Sequence, residues 1–390
     1  MNKTAKIAIG IAVAVLIIAG GWYFNKTKEQ GISDAGNKLT TIKIGVVGPL
    51  SGDAASYGEY VFKSIKIAID DYNKTHKALN FEAVYEDGKC DGSQAVTALN
   101  KLINIDKVHY VIGGVCSTET LAMAPIAESN KIILFTPWST SPNITNAGDY
   151  IFRNIASDDY GAKEIAKIAV QKGDKKIGLI AENTDYAQSL KNTFKKTCTS
   201  LGGEVALDES FNTGTTDFRT IITKAKSENV SVLYAVPQLY KTMALMLKQM
   251  KELGYQPKLY SNDALINSEA LKYYDPSYSG ILEGAIFTQA IFDEENAKTK
   301  NFLAEFTNKY GSTEGPLQPV YLATGYDSIF LLGAAITKSG DNPEKVKDYL
   351  YTIKNWDGVI KNFSFDQNGD AAMGVEAETV KNGKIVPLSL

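Results

Sequence analysis

One arrangement constrains this chain more than any other: short apolar runs of β-forming residues alternate with segments of helical period, and the series is played twice. The first series has apolar runs at 42–50, 81–87, 108–114 and 131–137, separated by helix-period segments at 60–72, 94–105 and 118–129. The second follows the short run Tyr150-Ile151-Phe152, with runs at 175–183, 202–211, 230–237 and 258–263 around helical segments at 185–201, 217–227 and 241–253. Strands separated by single helices build parallel sheets covered on both faces. Repeating the series within 390 residues predicts two similar α/β lobes rather than one large sheet.

Open α/β sheets bind ligands beyond the carboxyl ends of their strands. In the first lobe that rim carries 51–57, Cys116-Ser117-Thr118 and Trp138-Ser139-Thr140; in the second it carries 183–186, 238–240 and Asn262-Asp263. Two polar, aromatic-rich rims on facing lobes make a cleft. Taken singly these residues have plainer readings. Ser117, Thr140 and Asp263 are common helix N-cap types, and three rim tyrosines among 21 more often pack than recognise a ligand.

The formal net charge of −3 offers no basic field for nucleic acid. The chain has only two histidines, His76 and His109, and no HExxH, GxSxG, P-loop or GxGxxG pattern occurs. No metal or other cofactor is expected, and enzymatic chemistry is disfavoured. At the N-terminus, 7–24 form an uncharged apolar stretch after Lys3 and Lys6, ending in Trp22-Tyr23-Phe24. Residues 1–24 therefore read as a secretory signal or a membrane anchor, and 25–40 as a polar tether. That places the folded body outside the cytoplasm, with the membrane as a partner through this segment. Cys90 and Cys116 both follow predicted strands in the first half and Cys198 lies in the second; spacing does not decide their pairing.

The segments at 44–73 (IGVVGPLSGDAASYGEYVFKSIKIAIDDYN), 85–103 (YEDGKCDGSQAVTALNKLI), 113–128 (GGVCSTETLAMAPIAE) and 363–370 (FSFDQNGD) carry, in their order and spacing, a resemblance to a known family. The chain resembles the type I periplasmic amino-acid-binding proteins of the branched-chain class, which deliver ligands to ABC importers. The resemblance implies a two-lobe Venus-flytrap fold, each lobe a doubly wound parallel sheet, with the chain crossing three times. Lobe one would comprise 41–156 and 288–376, and lobe two 157–287 and 377–390. It implies that Ser117 holds a ligand carboxylate, that Thr140 shares it and helps bind the ammonium, and that Trp138 stands where a backbone carbonyl meets the ammonium. Asp263 falls where an acid neutralises that ammonium, Tyr57, Tyr186 and Tyr321 resemble pocket walls, and Tyr240 aligns less directly, beside an inserted residue. Cys90 and Cys116 resemble the first-lobe disulfide. Trp138 in place of a small residue, and Asp263 in place of a longer glutamate, bear on the ligand's side chain.

The expected function is capture of a small amino acid, branched-chain or related, by a monomer that presents it to an ABC permease. The alternative is a membrane-anchored ligand-sensing ectodomain with a separate signalling partner. The chemistry suits a zwitterion: hydroxyls and N–H groups at a helix start receive a carboxylate, and an acid opposite receives the ammonium.

Overall fold

The structure, a computed structural model, describes residues 39–174, 176–262 and 266–389. Residues 1–38, and with them the expected anchor and the expected tether up to residue 38, lie outside the described residues, as does Asp263; Thr40, the last residue of that expected tether, already belongs to a strand.

The first sheet is wholly parallel, in the order β2-β1-β3-β4-β5, from β1 (Thr40–Gly48), β2 (Leu79–Asp87), β3 (Tyr110–Gly113), β4 (Ile133–Thr136) and β5 (Ile151–Arg153). Helices α1 (Ala55–Thr75), α2 (Gly92–Asn104) and α3 (Ser117–Ser129) connect its strands. The pleat sends alternate residues to opposite faces. Ile44 and Val46, Tyr110 and Ile112, and Ile133 and Phe135 join the core under α1, whereas Val47, Val111 and Leu134 pack with Leu99 and Leu102 of α2 and Met123 of α3.

The chain then leaves this sheet. Helix α4 (Asp158–Gln171) leads into β6 (Lys176–Glu182), α5 (Asp185–Ser200), β7 (Glu204–Phe211), α6 (Arg219–Ser227), β8 (Val232–Val236), α7 (Tyr240–Glu252) and β9 (Lys258–Tyr260). Short helices α8 (Ser268–Tyr273) and α9 (Ser279–Leu282) precede β10 (Ile286–Ala290). The chain returns to the first lobe as α10 (Ala297–Tyr310), α11 (Val320–Ser339), α12 (Pro343–Thr352) and the hairpin of β11 (Trp356–Asp357) and β12 (Lys361–Phe363). It crosses a third time into β13 (Val375–Lys381) and β14 (Lys384–Pro387).

The second sheet has the order β14-β13-β10-β9-β8-β6-β7. It is parallel from β7 to β10, and β13 and β14 add an antiparallel edge. Their turn places Asn382 and Gly383 at φ 53° and 69°, the left-handed pair that a tight hairpin requires. Strands β10 and β13 straddle the divisions expected at 287/288 and 376/377, since both belong throughout to the second sheet.

Helix α11 is long and apolar enough to cross a membrane by length and composition, but it is a core helix, mostly buried beside α1. The first and third crossings are clamped together. Arg153, fully buried, donates from Nε to Asp370 Oδ1 (2.9 Å) and from a terminal nitrogen to Oδ2 (2.6 Å), and a further N–H reaches the Ser141 carbonyl at 2.8 Å. A planar guanidinium suits this forked geometry. His76, at the C-terminal end of α1, stacks on Tyr72, and His109 precedes β3 beside Asp341. Both lie at the end of the first sheet remote from the cleft.

Candidate functional site

The cleft forms where the carboxyl ends of the two sheets face each other. On the first-lobe side, β3 gives way to α3, whose start is fixed by Glu119. This fully buried carboxylate accepts the N–H groups of Val115 (3.0 Å), Cys116 (2.9 Å) and Cys90 (2.9 Å). Burial pushes Glu119 up to about 7, against the pull of these N–H donors. The Cys90–Cys116 disulfide closes the same corner, and Cys198 is free and buried in the second lobe.

The hydroxyl residues that follow β3 and close β4 divide by task. Thr136 Oγ1 and Ser139 Oγ both donate to the Gly114 carbonyl, at 3.0 and 2.9 Å, and Ser139 and Thr120 hydroxyls lie 2.7 Å apart. These buried groups tie the β3 and β4 ends together. Ser117 and Thr140 remain to face the cleft. Neither is an N-cap: Cys116 caps α3 and Ser117 is its first residue, while Thr140 precedes the Ser141 cap of the next turn. Ser117 Oγ accepts the Ser141 N–H at 3.2 Å, leaving its own proton available at the positive end of a helix. Thr140 Oγ1 donates to Asp158 Oδ2 at 2.7 Å, and Asp158 N–H donates to the Thr140 carbonyl at 2.9 Å.

The two lobes together line a cleft that stays partly open to solvent. Ser117, Thr140, Trp138, Tyr57 and Tyr321 line it from the first lobe with Val115, Cys116 and Leu317; Tyr186, Gln238 and Leu239 line it from the second. Trp138 is locked in place, its Nε1–H donating to the Tyr321 carbonyl at 3.0 Å and its ring 5.7 Å from Phe62. Gly325 lets it in: a Cβ there would come within 3.2 Å of the indole. Asp87 accepts Leu50 N–H (2.9 Å) and Ser51 Oγ–H (2.6 Å), holding the loop that leads into α1, the helix that carries Tyr57.

Tyr240 is one layer back. It does not line the space; its ring stands 6.2 Å from that of Tyr57 and 5.2 Å from that of Tyr273, and its N–H reaches the Tyr57 hydroxyl at 3.4 Å. The adjacent Gln238 and Leu239 take the wall position, with Gln238 N–H held by Glu182 Oε2 at 2.7 Å. The sequence put 238–240 on the rim, but only Tyr240 was singled out. Asp158 and Leu317 were not anticipated. An acid at a helix start reads as a capping residue, and a leucine among polar residues carries no signal.

A two-lobe α/β scaffold with a partly open, mostly apolar cleft between the lobes and a few convergent polar groups defines a solute-binding protein. The periplasmic binding protein family profile matches residues 41–384, and the chain belongs to that family. It is 31% identical over 335 residues to a leucine-, isoleucine-, valine-, threonine- and alanine-binding protein of Pseudomonas aeruginosa, covering 85% of this chain and 87% of that one. Its fold matches a leucine-binding protein from Thermotoga maritima with a TM-score of 0.80 and 29% identity, over 89% of this chain and 98% of the other. It also matches a branched-chain amino acid transporter substrate-binding protein from Streptococcus pneumoniae in complex with isoleucine, with a TM-score of 0.75 and 28% identity, over 89% and 98%. These relatives are solute-binding proteins, not enzymes.

Proposed function

We propose that this protein captures a small amino acid, branched-chain or related, outside the cytoplasm and delivers it to an ABC importer. The observation that carries the reading is the placing of Ser117 and Thr140 across one cleft from Tyr186 and Gln238 of the other lobe. Ser117 and the N–H groups at the start of α3 would receive the carboxylate, with Asp263 and Thr140 on the ammonium. The aromatic walls and Leu317 would take the side chain. The amino-acid specificities of the relatives support the same assignment.

In this reading the lobes built on the two sheets swing about the three crossings, so that binding is coupled to closure. A permease can then distinguish loaded from empty protein. Residues 1–24 hold the protein at the membrane, and it acts as a monomer. Thermal denaturation of the full chain against the amino acids and their amides tests the function. A true ligand at about a hundred times its Kd stabilises by about 2.7 kcal/mol. If no amino acid raises the midpoint, the assignment fails.

A further inference from the structure

Thr140 has one hydroxyl proton, and the structure shows where it goes. Its oxygen lies 2.7 Å from Asp158 Oδ2, and a carboxylate offers only acceptor positions, so Thr140 is the donor. The contact is reinforced by Asp158 N–H donating to the Thr140 carbonyl at 2.9 Å, which fixes the two residues as a pair. Thr140 is nearly fully buried and lines the ligand space, while Asp158 is the first residue of α4, just past the first crossing. The pair thus spans the lobes at their hinge.

A hydroxyl whose proton is committed can meet a ligand only through its lone pairs. A ligand carboxylate also brings only lone pairs and would be repelled; an ammonium brings donors and would be received. Ser117 has the opposite polarity, because its oxygen already accepts from Ser141 N–H and its proton is left to give. Two hydroxyls that look interchangeable in the sequence are therefore set as a donor and an acceptor by their neighbours.

We propose that Asp158 is a positioning residue for amino-acid recognition: it fixes Thr140 as an acceptor, so that Thr140 reads the ligand ammonium and not its carboxylate, and adds a negative charge one hydroxyl away from that ammonium. The assignment rests on the amino-acid reading above. It places a selection for amines at the hinge, where Thr140 and Asp158 pair across the lobes, in addition to Asp263.

The test uses the full chain as wild type, Asp158→Asn, Asp158→Ala, Thr140→Ser and Thr140→Val. Each is titrated calorimetrically with L-leucine, L-valine and L-alanine, and with the amine-free isocaproate, isovalerate and propionate. Circular dichroism melting confirms folding. Replacing Asp158 is expected to lower amino-acid affinity about tenfold or more while leaving the amine-free acids within about threefold, the size of one hydrogen bond to a charged group. Thr140→Ser, which keeps the hydroxyl, retains the preference for amino acids over amine-free acids, and Thr140→Val follows Asp158→Ala. Equal losses for amino acids and amine-free acids would make Asp158 a hinge prop alone and overturn the assignment, as would full amino-acid affinity in Asp158→Ala. Wild-type protein that binds none of the three amino acids overturns the proposed function itself, and this assignment with it.

Discussion

The hydroxyls of Ser141 and Ser189 lie 2.9 Å apart, one from the loop after β4 and the other from α5 of the opposite lobe. Ser141 also gives its N–H to Ser117, so the proposed carboxylate site and the contact between lobes share a residue. Ser189→Ala removes this neutral contact, which exists only when the lobes meet, together with the hydroxyl's bond to the Tyr186 carbonyl one turn back in α5 (2.8 Å). Ligand affinity is expected to fall by about 0.5–1.5 kcal/mol with the melting midpoint of the ligand-free protein unchanged. Calorimetry and melting curves check this; a lowered ligand-free midpoint would mean that the contact supports the fold instead.

Ser117→Ala is expected to weaken ligand binding by about 1.5–3 kcal/mol, the range for a hydrogen bond to a charged group. Glu119 and the disulfide hold the start of α3 independently of this hydroxyl, so folding should be unaffected. Wild-type affinity in the variant would remove Ser117 from the carboxylate site.

Asp263→Asn keeps the shape of the side chain and removes its charge. If Asp263 pairs with a ligand ammonium, amino-acid binding should fall by roughly 2–5 kcal/mol, while the matching amine-free acid loses far less. Measuring both ligands on both proteins isolates the coupling. Equal losses would show that Asp263 does not read an ammonium.

Asp370→Ala leaves Arg153 buried without its counter-charge. Breaking such a pair from one side costs roughly 3–5 kcal/mol, and the Ser141 carbonyl that Arg153 also holds would lose its anchor. Urea denaturation should show the loss; a cost under about 1 kcal/mol, the surface-pair range, would mean that water reaches the clamp.

Asp327 of α11 is buried and accepts the N–H groups of Val359 (2.9 Å) and Ile360 (2.8 Å), yet burial pushes it up to about 7. Its folded value lies above the unfolded one of about 4, so the folded state holds the extra proton between them. Its contribution to stability is therefore largest at low pH, declines as pH rises from about 4 toward about 7, and is level above. The stability difference between wild type and Asp327→Asn, followed by denaturation across that window, should move against the wild type as pH rises. A difference moving the other way would show that the two N–H donors outweigh burial.

The sequence was most readable where each element has one clear period. The alternation of Ile42, Ile44 and Val46, and the helix repeats between the runs, led directly to the first sheet and most of the second. Beyond residue 263 the residues themselves said less. Val320–Ser339 is buried on nearly all sides and so lacks a polar face to show its period, and β11 and β12 are too short to register. Asn382-Gly383 was a usable hairpin signal for β13 and β14.

At the site, the sequence gathered residues that line one cleft but did not fix which way each group points. Leu239 and Tyr240 are neighbours, yet one faces the ligand space and the other packs on Tyr57, a difference set by the rotation of α7 at its first turn. Asp158 stood 18 residues from the hydroxyl it orients, with nothing local to connect them.

The antiparallel edge has a consequence for the order of biosynthesis. Strand β10 gains its outer partner only when 375–381 arrive, and α1 gains its α11 neighbour only after 320–339. Neither lobe is assembled from one continuous stretch, so a chain emerging N-terminus first cannot complete either lobe until late in its synthesis. Until β13 docks, β10 presents an unpaired edge, open to addition by another chain.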